Sequence, residues 1–468
     1  MKQAATFLDD FTLVGRWIEE YLAHPERYRV MPAVRPGEVV AALPQEAPEL
    51  GEPFERILED FERIIVPATT HWNHPRFFAY FATSSAPAAI AAEALAATLD
   101  VKAMLWRTSP AATELEEVTM RWLGRLLGLP RTWTGIIYDT ASIAGFTALA
   151  AAREALDLGI RQHGMSGRGL PRLRIYITEH THSHIEKAAI ALGVGQENVV
   201  RVPCDAAYRM LPDALDACLA RDAEAQMRPL AIVATVGTTS TTSIDPVVEI
   251  ARVARRYATW LHVDAAYAGM AAMIPEYSAL LDGVELADSL VVNPHKWMFV
   301  PMDLSVLFLK DEAQVRRAFS LVPEYLTTPE GDAVNYMDYG LQLGRRFRAL
   351  KLWFVLRHLG AQGIRDKLRS HIELAQRFAA WVREEPGWEV MAPHPLSVVC
   401  FRRVVPDSED FNARLMHAVN ATGELFISHT KIDGRYALRL AIGNLRTTQA
   451  DVEFAWDVLR REAEKLTA

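Results

Sequence analysis

The chain has 468 residues, 50% of them hydrophobic and 23% charged, with a formal net charge of −8. That length exceeds what one core fills, so two or three domains are expected, and the acid excess excludes nucleic acid or an anionic membrane surface as the main partner. No apolar run of about 18 residues predicts a membrane span, and Cys204, Cys218 and Cys400 form no C-x-x-C pair, which excludes a disulfide framework or zinc site and predicts a reduced, cytoplasmic protein.

Residues 1–85 read as helices joined by Pro-rich connectors: Val30 to Gly37 is a linker, and Phe54 to Ile65 carries a helical apolar period. This segment has too little core to stand alone and is expected to pack on another part of the protein or on a partner subunit. From residue 86 helices alternate with short apolar strands. Helices are predicted at Ala86–Leu99, Thr113–Leu127, Ile143–Leu156 and Ser183–Leu192. Strands are predicted at Gly135–Tyr138, Leu173–Ile177, Leu230–Thr235, Trp260–Val263, Ser289–Val292 and Leu304–Leu309. The alternation implies an α/β domain with a mainly parallel sheet covered on both faces, whose ligands gather at the carboxyl ends of the strands. Residues 324–340 show no period, and a loop of that length inside a compact domain is a functional candidate. The remainder, with strands at Leu396–Phe401 and Tyr436–Ile442, reads as a smaller α+β domain. The resulting division is 1–85, 86–345 and 346–468.

Two strand ends carry the chemistry. Strand Ser289–Val292 runs into Asn293-Pro-His-Lys-Trp-Met-Phe, which surrounds Lys296 with apolar residues. Burial there lowers a lysine's pKa toward a nucleophilic free amine. Trp260-Leu-His-Val runs into Asp264, and a buried carboxylate needs a cationic partner. Lysine and carboxylate on one sheet edge suit pyridoxal phosphate (PLP), which needs an amine to condense with its aldehyde and an anion to keep its ring nitrogen protonated. Thr140 and Ser142 follow another strand and fit the cap and first turn of a helix whose N-terminus attracts phosphate. Gly237-Thr-Thr-Ser ends a further strand. His180, His182 and His184 have tempting metal spacing, but they straddle a strand–helix turn that would scatter them. Stacking one imidazole on a planar cofactor ring is the better use, and His295 could also lie beside the cofactor.

At this point the chain resembles the PLP-dependent aromatic-L-amino-acid decarboxylases of fold type I. The blocks that carry the resemblance are Thr70-His-Trp-Asn-His-Pro-Arg-Phe-Phe-Ala-Tyr-Phe, Ser109-Pro-Ala-Ala-Thr-Glu-Leu-Glu, His262-Val-Asp-Ala-Ala-Tyr-Ala-Gly, Asn293-Pro-His-Lys-Trp and Leu343-Gly-Arg-Arg-Phe-Arg-Ala-Leu-Lys. It implies a seven-stranded aspartate-aminotransferase-like sheet and a cytoplasmic homodimer with a shared active site. It further implies decarboxylation of an aromatic amino acid of tryptophan, phenylalanine, tyrosine or Dopa type to the arylalkylamine and CO₂.

Position by position, the resemblance makes Lys296 the cofactor's lysine, Asp264 the partner of its ring nitrogen and His182 the imidazole on its face, with Ala266 opposite. Thr140, Ala141, Ser142 and Asn293 match phosphate neighbours, and Thr239 matches a threonine beside the cofactor. Tyr336 matches a tyrosine of a loop that closes over the site, often from the partner. Trp72, Tyr80, Phe81 and Thr83 match a substrate strip, while Lys102 and Met104 fall where the second subunit usually offers a branched aliphatic and a Phe. His74 stands where Ser is frequent. Gly344 matches a position where Gly accompanies indolic substrates. Related acetaldehyde synthases, which decarboxylate and oxidatively deaminate, are the alternative; they typically carry Phe at the Tyr336 position.

Overall fold

The computed structural model describes residues 6–321 and 333–467. Its centre is a sheet of seven strands: β1 (Thr134–Tyr138), β2 (Leu173–Ile177), β3 (Val199–Arg201), β4 (Arg228–Thr235), β5 (Trp260–Asp264), β6 (Ser289–Val292) and β7 (Ser305–Leu309). Their spatial order is β1-β7-β6-β5-β4-β2-β3. Pairings among β3, β2, β4, β5 and β6 are parallel, and β7 runs antiparallel to both β6 and β1. Six strands therefore point the same way, and their carboxyl ends line one edge. Every residue of β6 and β7 is buried, as a sheet covered on both faces requires, and this is why those strands read as unbroken apolar runs.

Helices start where the chain offers start signals. Pro87 and Pro110 each open a helix, Pro87–Leu99 and Pro110–Leu126, because proline's missing N–H costs nothing in the first turn. The second begins three residues before the predicted Thr113, at that proline. Helix Ala141–Ala155 follows β1 after Thr140.

A second, antiparallel sheet has the order β10-β11-β9-β8 and is built from β8 (Trp388–Val390), β9 (Val398–Arg403), β10 (Ser428–Ile432) and β11 (Arg435–Ala441). A long helix, Ala349–Glu384, joins the two sheets and is broken at Gly360, where φ is 67° and ψ is 165°. Its Ile364, Leu368 and Ile372 sit in the large core, while Leu374, Phe378 and Val382 sit in the core of the small sheet.

The N-terminal helix Phe7–Ala23 opens with a reciprocal Thr6–Asp9 capping box yet buries none of its residues. Phe7 and Leu8 are 76% and 69% exposed. Phe54 to Ile65 is a helix, as its period predicts, whose last turn widens to a π-turn over Phe61–Ile65. Among the described residues no helix is long and apolar enough to cross a membrane.

Candidate active site

The carboxyl edge of the large sheet opens into a cavity of about 190 Å³. Its walls come from segments far apart in sequence but adjacent in the strand order. β5 ends at Asp264, whose register partners are Thr235 on β4 and Val291 on β6. Just beyond β6, Pro294 starts one helical turn that carries Lys296. Thr140 to Ser142 follow β1, His182 follows β2, and Thr239 follows β4; all five line the cavity with Ala266, Asn293, His295 and Phe81. The sheet order thus gathers every residue expected around the cofactor. A larger hollow of about 560 Å³ lies at the opposite, amino edge of the sheet, beside Arg228, Trp260 and Asp288. None of the expected residues reaches it, and it is the wrong edge for the ligands of such sheets.

Lys296 lies beside the ring of Phe81, its Nζ 5.0 Å from the centroid. Burial drives its pKa down; Asp264 pulls it up and Arg439 pushes it down again, so the free amine is favoured relative to an ordinary lysine. Asp264 is 4% exposed and accepts the Ala266 backbone N–H at 3.0 Å. Burial would raise its pKa, but His184, Lys296, His262 and that N–H outweigh it, and the carboxyl is held below its usual range.

Beneath Lys296 runs a column of rings. Phe81 stacks on Tyr267 with centroids 3.8 Å apart, and Tyr267 stacks on the fully buried Trp297 at 4.6 Å. Trp297 donates its indole N–H to Nδ1 of His371 at 3.0 Å. Rings packed this closely leave no room for water below the lysine. His295 is not free to titrate: its Nδ1 accepts the Leu304 N–H at 3.0 Å, and burial pushes its pKa down to about 3.

Several features fit the phosphorylated pyridine ring. Thr140 N-caps helix Ala141–Ala155 without a side-chain bond to it, so the first-turn N–H groups remain available for an anion. Thr235 Oγ1, on a residue lining the cavity, is buried without a hydrogen-bond partner. Gly237, at φ +88°, lets the β4 turn pass where a Cβ would sit 2.4 Å from that of Ala268. Asn293 is anchored by the Ser305 hydroxyl, which donates to its Oδ1 at 2.6 Å.

The remaining expected residues fall elsewhere. Trp72 and Tyr80, 40% and 54% exposed, stack on each other 5.7 Å apart outside the cavity, and Thr83 is half-buried nearby in sequence. Lys102, Met104, Tyr336 and Gly344 do not line it, but they share one patch. Met337 N–H donates to Met104 O at 3.1 Å, and Ala103 N–H donates to Arg345 O at 2.8 Å. Arg345 locks this patch to β1 through Glu116 at 2.7 Å and Ile137 O at 2.7 Å. Its guanidinium lies 4.4 Å from the Tyr336 ring centroid, and Tyr336 is only 3% exposed. Tyr336 is therefore packed into its own chain.

Of the three spaced histidines, His180 turns away against Tyr208, while His182 and His184 pair. Among the described residues no group of three His, Cys, Asp or Glu side chains could hold a metal.

Sequence reasoning missed Thr235 and Arg439, and named His184 only within the spaced histidines. Arg439, on β11, is 3% exposed, donates to Ser240 O and Tyr80 O, and lies 4.7 Å from the Phe81 ring centroid with one guanidinium nitrogen unpartnered. A lone arginine inside the apolar run Tyr436-Ala-Leu-Arg-Leu-Ala was the available signal.

Comparison with known proteins agrees with this geometry. Residues 36–404 match the pyridoxal-dependent decarboxylase conserved domain. Tyrosine decarboxylase 2 of Arabidopsis thaliana is 39% identical over 459 residues, covering 95% of this chain and 83% of that protein. A phenylacetaldehyde synthase of the same plant is also 39% identical, over 470 residues, covering 97% and 95%. The structure of Oryza sativa TDC with PLP and tryptamine superposes with a TM-score of 0.95 at 33% identity, covering 100% of both chains.

Proposed function

Because the chain belongs to the pyridoxal-dependent decarboxylase family, we propose that it converts an aromatic L-amino acid to the arylalkylamine and CO₂ with PLP as cofactor. The observation that carries this reading is one cavity holding a buried lysine, a buried anionic carboxylate and an unblocked helix N-terminus. Lys296 would hold the cofactor's aldehyde carbon and Asp264 its ring nitrogen. Thr140, Ala141, Ser142 and Asn293 would hold the phosphate, with Thr239 and His295 alongside and His182 and Ala266 on the two ring faces. When bound, that group supplies an electron sink for the pair left when the Cα–carboxylate bond breaks. The protein's part is positional and electrostatic. Asp264 keeps a proton on the ring nitrogen, the ring column under Lys296 excludes water, and the apolar walls favour loss of the substrate's negative charge.

The two families of relatives differ in product, and equal identity to a decarboxylase and a synthase does not choose between them. Simple decarboxylation predicts amine and CO₂ in equal amounts from tryptophan, tyrosine, Dopa or phenylalanine. Ammonia and hydrogen peroxide rising in step with turnover would overturn it in favour of the synthase reaction. Comparing kcat/KM across those acids tests the indolic preference expected from Gly344, which is exposed and has no atom within 4 Å of where a Cβ would stand.

The reaction also needs a proton at Cα. The segment 324–340 holds three tyrosines: Tyr325, which lies outside the described residues, and Tyr336 and Tyr339, which are both buried. Burial, reinforced by Glu116, raises the Tyr336 phenol's pKa well above its ordinary value, which makes it a poor acid. Tyr336→Phe is therefore expected to cost more stability than rate, and Tyr325→Phe to cost about 10²-fold in rate. A folded Tyr336→Phe enzyme that loses amine formation would return the donor role to Tyr336.

Lys102 and Met104, which the resemblance sets toward a second subunit, lie away from their own chain's cavity. The unburied N-terminal helix is a second surface in want of cover. Both support a homodimer whose sites are shared. Sedimentation at assay dilution checks it, and a fully active monomer would refute it.

A further inference from the structure

We propose that His184 is a positioning residue that fixes the tautomer of His182, so that His182 presents an Nε2–H donor to the cavity. The argument is a count of donors and acceptors at one atom. The backbone N–H of His184 points at His182 Nδ1 at 3.3 Å, a long bond that favours a bare nitrogen there without being strong enough to fix it alone. His184 Nδ1 lies 3.0 Å from the same atom and, with that atom bare, bears the hydrogen between them. A neutral His182 with a bare Nδ1 has its proton on Nε2.

The far side of His184 gives an independent check. Its Nε2 is buried with no partner, lying 2.6 Å from where a Cβ on Gly145 would stand. With the proton on Nδ1, Nε2 is only an unmet acceptor. The reverse assignment would bury an unmet Nε2–H donor and set a His182 N–H against the backbone N–H of His184. Orphaned buried donors are rarer and costlier than under-used acceptors. Gly145 is what allows the ring to sit there at all.

The groups facing His182 act on the same balance. Burial, Lys296 and Lys187 disfavour the imidazolium, and Asp264 favours it, with a net lowering of the pKa. His184 is pushed down to about 4, chiefly by burial. Both rings are thus neutral in the physiological range, and a second proton on His182 would break the pair by placing donor against donor. The wall of the cavity at His182 donates and does not accept, which suits a carboxylate or carbonyl oxygen.

The effect on rate rests on the decarboxylase reading, whereas the tautomer is a property of the chain itself. Nitrogen-15 NMR of histidine-labelled holoenzyme near neutral pH, with His182 assigned by its loss in His182→Asn, reads it directly. The expected pattern is a protonated Nε2 and bare Nδ1; a His182 proton on Nδ1 overturns the proposal without any His184 variant. In His184→Ala the resonance is expected to become a mixture of tautomers, with kcat down about tenfold and KM within about twofold. His184→Asn, whose amide N–H can replace the Nδ1 donor, is expected to restore both the tautomer and kcat to within about threefold. An unchanged tautomer in His184→Ala, or His184→Asn as slow as His184→Ala, makes His184 mere packing and overturns the proposal. Should the wild type form no amine yet show the predicted tautomers, the decarboxylase reading fails while this one stands.

Discussion

Replacing Lys296 by alanine is expected to lower amine formation by roughly 10⁴-fold or more, the scale seen when a covalent anchor is removed. The fold is expected to survive the change. Lys296 is a cation-forming group held among Phe81, Trp297 and Met298, against the pull of its own solvation. Asp264 loses one of the groups that favour its anion but keeps the Ala266 N–H and the facing histidines, while the burial cost of Lys296 itself disappears. The cofactor-free variant should therefore melt at or above the temperature of cofactor-free wild type, the mark of a residue kept for chemistry at a cost in stability. Incubated with PLP, wild type should turn yellow with absorbance at about 420 nm and keep the colour on dialysis, whereas Lys296→Ala should lose it. Persistent amine formation by a colourless variant would sink the assignment.

Asp264→Asn comes second, with kcat expected to fall roughly 10²- to 10³-fold, as for loss of one preorganised electrostatic group. Asparagine keeps the size and the acceptor for the Ala266 N–H, so geometry is nearly held constant while the charge disappears. A neutral amide cannot hold a proton on the ring nitrogen, so the electron sink weakens though the lysine remains. A side effect has a definite sign. Asp264 raises the pKa of Lys296, so its removal lets burial and Arg439 lower that pKa further. A variant within threefold of wild type would show that the carboxylate is structural.

Much of this site was readable because its chemistry coincides with local signals. Lys296 and Asp264 each end an apolar run, and the strands that deliver them, Ser289–Val292 and Trp260–Asp264, lie within a residue of their predicted limits. What escaped were elements whose order comes from neighbours. β3 is three residues long at the sheet edge, and β10, Ser-His-Thr-Lys-Ile, is a polar edge strand whose outward residues look like a loop. β8 is equally short. Thr235, and the place of His184 against His182, escaped for another reason: a side chain left without a partner is a fact about three-dimensional surroundings. Tyr336 shows the converse. Its position in an aperiodic segment resembled a mobile loop, and only Arg345, anchored on Glu116 and β1, reveals that it is pinned.

The break at Gly360 bears on this chemistry from a distance. Downstream of it one uninterrupted rod enters both cores, and the small sheet rides on that rod. From the small sheet Arg439 reaches back over Phe81, making it the cation that opposes protonation of Lys296. Arg439 thus belongs to the sheet that this rod carries, and its bonds to Ser240 O and Tyr80 O hold the positive charge near the reactive amine. A Cβ at 360 would meet no atom within 4 Å, so its cost of about 1–3 kcal/mol would be backbone strain alone. The same rod carries His371, which accepts the Trp297 N–H beside Lys296, so a single joint braces the small sheet and the reactive lysine together.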